Sequence, residues 1–110
     1  MANLFNEDPL TAPAVVSEAH LAQLRERIDV LNGRILALLQ ERAEVVLEIA
    51  GVKQALKLGP YDPRREEDML QRLMAAPAGP IGAADIREIF TAIFRACLVI
   101  QNRAGNGRPA

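Results

Sequence analysis

From Leu21 to Leu56 apolar residues recur at intervals of three and four: Leu21, Leu24, Ile28, Leu31, Ile35, Leu38, Leu39, Val45, Val46, Ile49, Val52 and Leu56. That period belongs to an α-helix. No proline interrupts the run, Ser17 offers an N-cap ahead of it, and Gly59-Pro60 supplies a stop. Asn32-Gly33 is the weak point, because glycine inside a helix costs about 1 kcal/mol. The apolar phase nevertheless continues unbroken across the pair. One helix of about 40 residues, roughly 60 Å long, is predicted.

Such a helix does not fit a compact monomer of this size, whose radius of gyration should be near ~13 Å. Long periodic helices belong to coiled coils or shared bundles. An intertwined homodimer is the simplest way to cover the stripe.

A second helix is predicted from Asp62-Pro63, a cap followed by proline at the first helical position. It carries Met69, Leu70 and Leu73 and ends near Ala75-Ala76-Pro77, before a loop over 77–82 (PAGPIG). A third helix starts between Ala83 and Asp85 and carries Ile86, Ile89, Phe90, Ile93, Phe94, Cys97 and Leu98. It is expected to fade after Gln101. No strand-period alternation and no internal repeat interrupt this pattern. The expected fold is all-α, three helices per chain with a very long first one. Residues 1–16 read as a flexible N-terminal arm, 17–104 as the helical domain and 105–110 as a flexible glycine-rich tail.

Composition narrows the function. The chain has 110 residues, half of them apolar, with no tryptophan and a formal net charge of −1. One domain of ordinary size follows. Acids and bases interleave, which excludes the basic face that nucleic acid requires. A single cysteine, Cys97, excludes an internal disulfide framework and suits a reducing compartment. One histidine and one cysteine cannot build a zinc site. There is no secretory h-region and no apolar run of about 18 residues, so no membrane span. A soluble cytoplasmic protein is expected.

The informative positions are polar residues inside apolar stripes. At about 100° per residue, Leu24, Leu31, Ile35, Leu38 and Ile49 fall within roughly 40° of Arg42, and Lys53 within about 20°. On the second helix Glu66 and Asp62 flank the direction of Leu73 by about 20° each. On the third, Gln101 is in phase with Phe90 and Phe94, one turn beyond Cys97.

Each residue also has an ordinary reading. Arg42 could pair with Glu41, and Lys53 could extend its ammonium to water from a helix end. Glu66 could serve the helix dipole, and Gln101 an interhelical hydrogen bond. Asp62 and Arg65 could be a cap and a surface residue, and Cys97 a small core residue. Taken together, however, Arg42, Lys53, Glu66 and Gln101 point inward from three helices. Buried charge needs a partner, and Arg42 and Lys53, about 16 Å apart along the axis, could converge on something small and anionic. Arg25 lies about 25 Å before Arg42 and could reach such a pocket only in an antiparallel partner.

The stretches LRERIDVLNGRILALLQERAEVVLEIAGVKQ, YDPRREEDMLQRL and IFTAIFRACLVIQ resemble the all-α chorismate mutases over about residues 18–104. The resemblance implies an intertwined homodimer with two equivalent sites, converting chorismate to prephenate without cofactor or metal. It implies that Arg42 and the partner's Arg25 clamp the two substrate carboxylates. On the same resemblance Lys53 and Gln101 would donate to the ether oxygen of the breaking C–O bond, and Glu66, with Asp62 and Arg65 nearby, would hold the ring hydroxyl. Cys97 stands where the family often has a small hydroxyl residue against a carboxylate, and a thiol is a weak donor. Two other functions fit the same resemblance: a pyruvate lyase acting on isochorismate, and a helical regulatory module for another shikimate-pathway enzyme. Glu66, a partner for the ring hydroxyl, favours the mutase over the lyase. A ligand-free structural bundle is the remaining class.

Overall fold

The computed structural model describes residues 16–59, 61–76 and 79–106. Three helices account for most of them, with no strand among the described residues: α1 over Glu18–Ala55, α2 over Pro63–Met74 and α3 over Ala83–Asn106. Positions 1–15 of the expected arm, the Pro60 stop, Pro77-Ala78 and positions 107–110 lie outside the described residues.

Local chemistry explains the helix ends. Ser17 caps α1, its hydroxyl accepting from the His20 N–H at 3.0 Å while its carbonyl accepts from Leu21 N–H. The Asn32-Gly33 pair does not break the helix, which runs unbroken for 38 residues. At the far end Leu58 N–H bonds the Lys53 carbonyl at 2.7 Å, and Lys57 N–H bonds that of Gln54 at 3.0 Å. Lys57 sits between them in the left-handed region, at φ 60°. This is a Schellman closure with lysine in the position usually given to glycine.

Helix α2 begins as expected, with the Asp62 carboxylate accepting from Arg65 N–H at 3.1 Å and proline at the first position. Helix α3 is opened by Asp85, which reaches back to accept from Gly82 N–H at 3.0 Å. Its end corrects the expectation. The helix does not fade after Gln101 but continues through Asn106, taking in two residues assigned to the tail. Ala104 in this last turn is half-buried, which a polar, glycine-rich composition conceals.

The chain divides into two compact units, Met1–Gln40 and Glu41–Ala110. The described part of the first is the N-terminal portion of α1, where every side chain from Leu21 to Leu38 is exposed. The second contains the end of α1 together with α2 and α3. Here lie the three buried side chains among the described residues: Leu70, Phe94 and Cys97. Arg87 of α3 forks onto Glu67 of α2 through bonds of 3.2 and 2.8 Å, and Gln71 donates to the same carboxylate at 2.8 Å. These hydrogen bonds, Arg87's first, hold the Glu67 carboxyl down at about 2 against an ordinary 4.5, and the pairing raises Arg87.

Candidate active site

Within the second unit, one solvent-open cleft of about 120 Å³ is lined by Arg42 and Lys53 from α1 and by Arg65, Glu66 and Met69 from α2. Asp62, at the cap of α2, joins them, and α3 contributes Phe94, Cys97 and Gln101. Seven of the eight residues singled out in the sequence therefore meet at one place. The eighth, Arg25, is exposed in the first unit and does not line this cleft.

The helical phase explains the convergence. Arg42 and Lys53 are eleven residues apart, three turns of α1, and so share its face. Both are half-buried. The Arg42 guanidinium donates from Nη1 to Cys97 Sγ at 3.2 Å, and its Cζ lies 5.4 Å from the Phe94 ring centroid. It is held by a thiol and an aromatic ring across the unit, not by Glu41. Lys53 occupies the last turn of α1, where a cation suits the helix dipole, and its main chain is fixed by the Leu58 bond.

Glu66 is half-buried on the inner side of α2, while Asp62 and Arg65 are exposed at its start. Asp62 spends one carboxylate oxygen on the cap, so part of its reading as an ordinary helix signal holds. Gln101 is half-buried, and its Oε1 is sealed from solvent with no hydrogen-bond partner. Buried polar atoms are normally satisfied, so an unpaired amide oxygen at this place marks Gln101 as more than a core residue.

Three cations, Arg42, Lys53 and Arg65, face two anions, Asp62 and Glu66, across this cleft. The excess of positive charge suits an anionic guest. A larger cleft of about 240 Å³ adjoins it and shares Lys53 and Gln101. Its remaining walls, including Leu47, Ala50, Gly51 and Leu58, bring no further charge, so the chemistry resides in the smaller one. Among the described residues no cluster of three acidic, histidine or cysteine side chains could hold a metal ion. No described helix is long and apolar enough to cross a membrane.

A family model described as chorismate mutase type II matches residues 24–102. The chain belongs to this chorismate mutase family. A bifunctional chorismate mutase/prephenate dehydratase from Stutzerimonas stutzeri is 37% identical over 92 residues, covering 78% of this chain and 25% of that protein. The chain thus spans about a quarter of the length of the curated relatives it matches. Chorismate mutase from Thermus thermophilus superposes with a TM-score of 0.74 at 42% identity, over 76% of this chain and 96% of that one. The Helicobacter pylori chorismate mutase, solved with prephenate, gives 0.79 at 28% identity over 84% and 100%.

In the sequence Phe94 reads only as part of a core stripe, and its place beneath the Arg42 guanidinium is not legible there. Phase alone placed it beside Gln101, and that was the available signal, but which cation it meets depends on side-chain rotamers.

Proposed function

We propose that this chain is a chorismate mutase, rearranging chorismate to prephenate as a homodimer in the cytoplasm, with residues 17–104 as the catalytic domain. The observation that carries the reading is the meeting of Arg42, Lys53, Glu66 and Gln101 in one cleft of a family member. The reaction is concerted and intramolecular: the ether C–O bond breaks as a C–C bond forms. No proton is abstracted and no nucleophile attacks, so neither metal nor cofactor is called for. Rate enhancement comes from holding a compact conformer and stabilising charge as it develops.

Arg42 binds one carboxylate of the dianion, and the fork geometry of a guanidinium suits that task better than an ammonium. Lys53 and the Gln101 amide donate to the ether oxygen, whose negative charge grows toward the transition state, so their effect falls on kcat. Glu66 accepts from the ring hydroxyl, with Asp62 and Arg65 beside it. Cys97 lies against the carboxylate end, next to Arg42.

The second carboxylate falls to Arg25 of the other copy. Support for a dimer is the bare apolar side of α1: Leu31 is 42% exposed, Ile35 54% and Leu38 65%, and no residue of the helix is buried. Contiguous apolar surface on that scale marks an interface. Fully covering a leucine or isoleucine contributes about 1.5–3 kcal/mol, so a second α1 is a strong candidate cover.

The test is to incubate purified protein with chorismate, following its absorbance and prephenate formation, and separately with isochorismate, following pyruvate. Chorismate loss matched by prephenate is expected. Pyruvate from isochorismate without any prephenate from chorismate would replace the mutase with a lyase.

A further inference from the structure

The Arg42 guanidinium lies over the Phe94 ring and donates to Cys97. Phe94 and Cys97 are one turn of α3 apart, three residues in sequence, and both are buried, at 5% and 9% exposure. They therefore form a fixed wall rather than a mobile rim. Phe90 supports that wall, its ring 6.3 Å from that of Phe94 and inclined by 55°, the tilted arrangement aromatic pairs favour. Arginine has several rotatable bonds, and an unsupported guanidinium beside an open cleft would sample solvent. Here the ring face attracts its charge and the sulfur takes one of its five N–H donors. The remaining donors stay free for a carboxylate.

The geometry points to Phe94 as a positioning residue: its π face holds the Arg42 guanidinium in the carboxylate-binding orientation before substrate arrives. The ring acts through Arg42, on binding rather than on the bond that breaks. Restricting the side chain beforehand lowers the ordering cost of association. Because Arg42 grips the carboxylate equally in ground and transition states, loss of the ring should raise KM and spare kcat. Cys97 orients the fork and contributes less, since a thiol sulfur is a weak acceptor.

This inference rests on reading the cleft as the chorismate site, so wild-type turnover of chorismate is measured first. Its absence would defeat that reading. An independent readout is the relaxation of the Arg42 Nε–Hε pair by NMR in ligand-free protein, which reports side-chain order without any substrate. Phe94→Leu keeps an apolar side chain but removes the quadrupole. It should mobilise Arg42 and raise KM roughly three- to ten-fold, with kcat within about two-fold, on the scale of a partly buried cation–π contact. Phe94→Tyr should restore both readouts.

A core substitution can impair folding, so a second variant keeps the shape: 3,4,5-trifluorophenylalanine incorporated at position 94, which withdraws charge from the ring face. An intermediate rise in KM and intermediate Arg42 mobility are expected. Wild-type KM and wild-type Arg42 order in the trifluoro protein would overturn the proposal.

Discussion

The two halves of α1 use similar residues to different ends. From Leu21 to Leu38 every side chain is exposed, although the leucines and isoleucines repeat with helical period. From Arg42 to Lys53 the same period continues, yet Arg42, Ala43, Val46, Leu47, Ala50, Gly51 and Lys53 are half-buried. The second half shares its unit with α2 and α3, and its Arg42 reaches Phe94 and Cys97 of α3. The first half is an apolar face without a described cover. A stripe therefore identifies what must be covered, but not by which chain. The two arginines repeat the contrast: Arg42 is cradled within its unit, whereas Arg25 is exposed.

The sharpest way to break this contrast is to put a charge on the uncovered half. Ile35→Glu should abolish dimerisation, since an unpaired carboxylate in an apolar interface costs several kcal/mol. Sedimentation should show monomer or unfolded chain, and on the proposed shared-site reading, in which Arg25 serves the other copy, activity should fall to background. A well-folded, active monomer would remove the reason for an intertwined pair.

Next in size are the arginines. Arg25→Ala and Arg42→Ala should each lower kcat/KM by about 10³, the upper end for loss of one preorganised charge-stabilising group. Mixed and allowed to exchange subunits, they should regain part of the activity, because one pocket of the heterodimer keeps both guanidiniums. Exchange without recovery would mean that Arg25 serves its own chain.

Lys53→Ala should cost about 10²–10³, mainly in kcat, since its target gains charge only as the bond breaks. An effect confined to KM would assign the ammonium to ground-state binding.

The smallest effect belongs to the brace between α2 and α3. The Glu67 carboxyl is depressed from 4.5 to about 2 in the folded protein, so its contribution to stability is present above pH 4.5 and is lost as pH falls toward 2. Arg87→Ala should lower Tm slightly at pH 7, and the gap between variant and wild type should close across that window. Both partners are exposed, about half their side-chain surface, which keeps the effect small.

Much of this was legible beforehand. Ser17, Asp62-Pro63 and the apolar period determine where α1 and α2 begin, because caps and periodicity are local chemistry. The convergence of Arg42, Lys53, Glu66 and Gln101 was legible through phase, since side chains three turns apart must share a side. The run of α3 past Gln101 was not, because Asn102, Gly105 and Asn106 weigh against helix locally, and the half-burial of Ala104 appears only in the fold. Nor was the partner of Arg42. Pairing with Glu41, its sequence neighbour, is the simpler expectation, whereas the thiol 55 residues away is reached only after folding.

The Schellman closure at the end of α1 bears on the role proposed for Lys53. Terminal turns commonly fray, and a cation on a fraying turn would wander with its own backbone. Here the carbonyl of Lys53 is itself tied down, so the ammonium swings from a fixed pivot. Any search it makes for a developing charge is confined to the torsions of four methylenes.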